Sequence, residues 1–146
     1  MIEVKWDDRE VLKAMQNLQR SADNMSPALR EIGEILTEST KKRFASKTGP
    51  DGQAWLGNAD STIERKGRDF PLTDGGTLGD TIDYQLMGND AVQVGSPEEY
   101  AAMMQFGGTK SEFPNLWGDI PGREYLGVSD DDESDILAAI ERHLKL

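Results

Sequence analysis

The chain has 146 residues and no cysteine, so it is long enough for one domain with a sizeable core, and disulfides and thiol chemistry are excluded. Its net charge of −11 argues against a free nucleic-acid-binding protein, because such proteins neutralise phosphates with a basic face. We also expect no signal peptide, because the start MIEVKWDDRE is acidic and no apolar run follows it. We expect no membrane contact either, and no apolar stretch approaches the roughly 20 residues that span a bilayer.

The N-terminal third of the chain predicts one short strand and two helices. Residues 2–6 alternate apolar and polar side chains, a period of two that is typical of a half-buried strand. Asp7 is placed to cap a first helix. Ser26 at the cap and Pro27 in the first turn begin a second helix, whose apolar spacing continues to about Ala45.

A long irregular loop is predicted at about residues 46–79. Gly, Pro, Asp, Asn, Ser and Thr dominate this segment, and a loop of such length inside a domain is usually functional or disordered. Trp55 and Phe70 favour a functional loop, because large aromatic side chains are uncommon in disordered segments.

The segment after the loop predicts a β-hairpin and a short helix. Apolar and polar residues alternate through 82–87 and 92–94, on either side of a turn at Gly88-Asn89-Asp90. Ser96-Pro97 then opens a short helix that stops at Gly107-Gly108.

The C-terminal segment predicts a last strand and a last helix. Leu126 and Val128 have strand spacing, Ser129 caps the helix, and the acidic run 130–135 is interpreted as its solvated first turn. The sum is a single α+β domain over residues 1–146, in which a small, mainly antiparallel sheet packs against about four helices and carries the long loop.

The residues that catalysis or metal binding would need are scarce. His143 is the only histidine, and its place in the last turn of the final helix favours a structural role. With no cysteine and one histidine, the chain lacks most of the residues that a transition-metal site or a nucleophilic triad requires. The acidic residues form no recognisable motif. We therefore predict a protein that is not an enzyme and has no catalytic residues, cofactor or metal.

The charge is unevenly distributed along the chain. Residues 41–68 hold seven basic and three acidic residues, a net charge of +4, which leaves −15 for the rest. Opposite patches suit head-to-tail self-association, although a solvated basic loop is the alternative. Basic side chains and loop aromatics are therefore the candidate subunit-interface residues: Lys41, Lys42, Arg43, Trp55, Arg65, Lys66, Trp117 and Arg123.

Several segments together resemble the phage virion-morphogenesis family, the tail-completion proteins of Mu-like and P2-like contractile phages. The matching segments are Arg43-Phe44, Pro50–Trp55, Leu72–Leu78, Val92–Gly95, Tyr100–Gly108 and Ile120–Ser129. The chain departs from the family pattern at Met104, where a histidine is usual, and at Gly122 and Glu124, where alanine and proline are usual.

The resemblance implies a virion protein, assembled in the host cytoplasm, that completes the tail top or joins the tail to the head. It implies a homo-oligomeric ring, which we expect to be hexameric. The expected partners are further copies of the chain and other neck or tail proteins, namely tube, sheath or connector. DNA is expected to pass through without specific binding, since an acidic ring repels it, and no membrane is involved.

Two other functions are compatible with the composition. An acidic DNA-mimic inhibitor would need carboxylates spread along one face, but here a basic block interrupts them. A small phage lytic enzyme would need a carboxylate with a raised pKa in a cleft. The mass of the particle in solution, with and without virion partners, distinguishes these functions from a ring.

Overall fold

The computed structural model describes residues 8–21, 24–55, 77–97, 101–109, 111–112 and 121–144. In these ranges the elements are α1 Arg9–Ser21, α2 Ser26–Ser46, α3 Thr77–Asp80, β1 Asp83–Met87, β2 Ala91–Gly95, α4 Ala101–Phe106 and α5 Asp130–Leu144. The predicted α+β class is confirmed, with one small antiparallel sheet and five helices in the described part. The predicted strand at residues 2–6 lies outside the described residues.

Helix α2 is the longest element, and its ends are fixed by local backbone chemistry. Ser26 lies inside the helix rather than at the predicted cap, and the side chain of Asn24 accepts a hydrogen bond from the Ser26 N–H at 3.0 Å. The helix ends at Ser46, because Lys47 adopts a left-handed conformation with φ 60° and donates its N–H to the carbonyl of Arg43. The residues after α2 form an ordered turn closed by a bridge between Thr48 and Ala54, so the first part of the predicted loop is structured.

Helices α2 and α5 lie side by side in opposite directions, with charged pairs at both ends of the contact. Glu31 contacts Arg142 and His143 at one end, and Arg43 contacts Asp132 at the other. The two α2 positions lie about 18 Å apart along the helix axis. The first core cluster joins α1, the first turns of α2, and α5: Leu18, Met25, Ala28, Leu29, Ile32, Ile136 and Ile140.

The Glu31 end of this contact is expected to add a small, pH-dependent stabilisation. Hydrogen bonds from His143 and then from Arg142 hold the pKa of Glu31 below its ordinary value of 4.5. A carboxylate with a depressed folded-state pKa stabilises the fold above its unfolded pKa, and the effect is lost as the pH falls through the folded value. Glu31→Gln should therefore lower the free energy of unfolding near pH 7, by less than about 1 kcal/mol because the site is partly exposed.

The pH profile of that difference is the measurement that checks it. Melting curves of the wild type and Glu31→Gln should differ near neutral pH and converge well below pH ~4. Glu10→Gln, at an exposed glutamate of α1, is the matched control and should change little at either pH. A difference that persists unchanged into acid would contradict the assignment.

The β-hairpin packs with one face on α2. Tyr84 pairs with Val94 and Leu86 with Val92, and these partly buried residues alternate along β1 with exposed ones. The predicted hairpin, with its three-residue turn at 88–90, is confirmed. At its open end lies the second core cluster: Phe44, Leu78, Ile82, Ala101, Tyr125 and Leu126.

The predicted strand at Leu126 and Val128 is wrong. Both residues are described, and neither belongs to a strand. Their apolar spacing reflects burial in the two core clusters, since Leu126 belongs to the second and Val128 packs against the first. The backbone at Tyr125 and Leu126 finds its hydrogen-bond partners in a side chain of α4 instead.

Candidate assembly site

The side chain of Gln105 takes the place of a neighbouring strand. Its Oε1 accepts hydrogen bonds from the N–H groups of Tyr125 and Leu126, each at 3.0 Å, and its Nε2 donates to the carbonyl of Leu126 at 3.1 Å. Gln105 is 2% exposed, so these backbone groups would otherwise be buried without partners. One amide thus fixes the segment that follows residue 121 against α4.

Tyr125 ties the same segment to both α4 and α2. It is fully buried, and its hydroxyl donates to the carbonyl of Ala101 at 2.7 Å. Its ring lies 5.5 Å from that of Phe44 at the end of α2. The N–H of Arg123 adds a bond of 2.9 Å to the carbonyl of Met104. Three elements distant in sequence therefore meet at one buried tyrosine.

Arg43 carries a buried charge at the centre of this arrangement. Its guanidinium donates to the carbonyls of Tyr125 at 2.7 Å and Gly127 at 3.2 Å, and to the carboxylate of Asp132 at 2.5 Å. Arg43 and Asp132 are 5% and 4% exposed. Burial lowers the pKa of the Arg43 guanidinium, and the Asp132 carboxylate opposes that shift. Neutralising partners and hydrogen bonds are what allow a charge to remain there.

Asp132 has a second role at the start of α5. Its carboxylate accepts the N–H of Ser129 at 3.0 Å, and the Ser129 hydroxyl accepts the N–H of Asp132 at 3.0 Å, which forms a reciprocal capping box. The prediction that Ser129 caps this helix is confirmed. The prediction of a solvated acidic run holds for Asp130 and Asp131 but is wrong for Asp132, which faces Arg43.

Trp55 links the turn after α2 to the segment that contains Glu124 and Tyr125. Its indole N–H donates to the carbonyl of Glu124 at 2.8 Å, and its ring meets Phe44 edge-on with centroids 5.6 Å apart. Pro50 lies so close to Gly127, which has φ 155°, that a Cβ there would be 2.6 Å from the proline ring. We call this set of residues the clamp: Arg43, Phe44, Trp55, Gln105, Tyr125 and Asp132.

The predicted interface residues fall into three groups. Lys41 and Lys42 are exposed on α2, and Lys42 makes only a solvent-exposed pair with Glu38 at 3.3 Å. Arg43 and Trp55 are part of the clamp, and the backbone of Arg123 is hydrogen-bonded beside it. The guanidinium of Arg43 binds groups of its own subunit. The remaining three, Arg65, Lys66 and Trp117, lie outside the described residues.

Phe106 is a surface residue that the sequence reasoning did not single out. It is the last residue of α4 and is 60% exposed, although Gln105 beside it is buried. Its backbone is held against Gly122, where a Cβ would lie 2.8 Å from the Phe106 carbonyl carbon. The signal was present in the Gln-Phe-Gly segment, since a short helix that buries its glutamine must turn the next side chain elsewhere.

The described ranges offer little for other chemistry. In them, no three histidine, aspartate or glutamate side chains are grouped so that they could hold a metal ion. Among the helices they contain, none is long and apolar enough to cross a membrane. In the clamp, buried ionic and amide contacts hold the backbone in place. Lys41, Lys42 and Phe106 remain exposed at the surface.

Gln105→Leu is expected to lower the free energy of unfolding by about 2 kcal/mol, because it leaves the buried backbone groups of Tyr125 and Leu126 without partners. Gln105→Glu keeps both acceptor contacts but sets a buried carboxylate oxygen against the Leu126 carbonyl in place of the donor, so it should also destabilise the fold. Urea unfolding measures both changes, with exposed Gln53→Leu as the control. Equal stability of Gln105→Leu and wild type would contradict the role given to the amide.

The sequence is similar to proteins of one kind. A model of the phage virion morphogenesis family matches residues 6–145. The chain is 30% identical over 152 residues to the putative capsid assembly protein G of Escherichia phage Mu, with 94% of each chain covered. It is 29% identical over 147 residues to the Mu-like prophage FluMu G protein 2 of Haemophilus influenzae, which covers 100% of this chain and 98% of the relative. No solved structure matches it.

Proposed function

Because this chain belongs to the phage virion morphogenesis family, we propose that it completes the top of the tail or the neck of a tailed phage as a closed ring. Family membership gives the broader role, which is structural or assembly work in building a phage particle, and this family is not a known class of enzymes. The observation that carries the proposal is this match over nearly the whole chain. The printed name of the phage Mu relative, a putative capsid assembly protein, supports an assembly role.

The clamp supports the proposal in physical terms. A ring subunit must present fixed surfaces, because each contact repeats around the axis and small errors accumulate until the ring fails to close. Buried contacts of Arg43 and Gln105 hold the segment 121–129, and with it Phe106 and the start of α5, in one position. Backbone segments held by these contacts lose little conformational freedom when a neighbouring subunit binds, which favours association.

The exposed side chains of Lys41, Lys42 and Phe106 suit a head-to-tail contact between subunits. Lys41 and Lys42 extend from the end of α2, and Phe106 is a large exposed aromatic of the kind that is enriched in interfaces. We place Lys41, Lys42 and Phe106 in the subunit contact, together with Arg65, Lys66 and Trp117 from the sequence. Each contact should bury about 800 Å² per partner, and the ring is proposed to be a hexamer.

The proposed partners follow from the position on the particle axis. One face of the ring would meet the tail tube or sheath and the other the connector, all within the virion. A net charge of −11 per subunit would keep DNA from adhering to the lumen as it passes. Family membership favours this function over the DNA-mimic inhibitor and the lytic enzyme.

Charge reversal at Lys41 and Lys42 is expected to slow assembly about tenfold and to weaken its dependence on salt, because rim charges govern encounter more than affinity. Light scattering over time at several salt concentrations measures this. Lys13→Glu with Arg30→Glu, at exposed positions of α1 and α2, is the control with the same change in charge. Equal assembly rates for the two double variants would argue against a role of Lys41 and Lys42 in the subunit contact.

The direct test is imaging of the phage particle. The protein should appear as one ring where the tail meets the head. Its absence from the mature particle, or its presence as separate monomers on the capsid surface, would overturn the proposed function.

A further inference from the structure

We draw no further inference here: the strongest candidate, the groove at the base of the β-hairpin that Asp83, Gln85, Gln93 and Leu126 help to line, carries none because nothing in the described part of the chain shows what covers it.

Discussion

Replacing Arg43 with methionine is expected to lower the free energy of unfolding by about 3–5 kcal/mol, because it leaves the Asp132 carboxylate buried without its partner. Asp132 is 4% exposed, so water cannot replace the guanidinium without opening the contact between α2 and α5. The carbonyls of Tyr125 and Gly127 lose a donor in the same step. Urea unfolding under conditions that keep the protein monomeric is the measurement.

A double-mutant cycle separates the ion pair from the other losses. Asp132→Asn introduces an amide whose Oδ1 can still accept the Ser129 N–H, while it removes the negative charge. In the double variant Arg43→Met/Asp132→Asn no charge remains unpaired, so the combined cost should fall below the sum of the single costs by about 1.5–3 kcal/mol. Additive costs would mean that the two groups are not coupled.

Lys42→Met provides the matched comparison on the next residue of the same helix. Lys42 pairs with Glu38 at 3.3 Å, and both side chains are more than 70% exposed, at 75% and 72%. Such a pair is worth at most about 0.5 kcal/mol. A cost for Lys42→Met similar to that of Arg43→Met would show that the helix tolerates no change there and would remove the support for a buried ion pair.

Local signals account for the parts of the fold that the sequence predicted correctly. The hairpin follows from alternation around Gly88-Asn89-Asp90, and the start of α5 from Ser129 followed three residues later by an acid. The start of α2 was predicted within one residue, because Pro27 marks the first turn. In each case the determining residues lie within a few positions of one another, so a short window of sequence contains the cause.

The clamp depends on contacts that no short window contains. Arg43 and Asp132 are 89 positions apart, and the basic or acidic runs around them gave each a surface interpretation. Gln105 and Leu126 are 21 positions apart. A single glutamine in the sequence does not indicate that its side chain will hydrogen-bond backbone groups of a distant segment. The resemblance to a family pointed to the segments that meet there without giving the contacts between them.

Gly33→Ala is expected to lower the free energy of unfolding by about 2–3 kcal/mol, although alanine normally favours a helix by about 1 kcal/mol. Gly33 lies in the middle of α2, where the ring of Tyr84 rests directly on the helix backbone. A Cβ at this position would stand 2.5 Å from Tyr84 Cγ and 2.6 Å from Cδ2. The alanine could be accommodated only if β1 moved away from α2.

Two comparisons check this explanation for the glycine. With Tyr84→Ala in place, Gly33→Ala should cost less, because both ring contacts are gone and only the contact with the Cβ of residue 84, at 2.9 Å, still requires a small shift. Gly79→Ala in α3, where a Cβ would lie at an ordinary 3.4 Å from the Phe44 ring, should change stability by less than about 1 kcal/mol. If Gly33→Ala proved stabilising in the presence of Tyr84, the hairpin could not rest on α2 as closely as the structure places it.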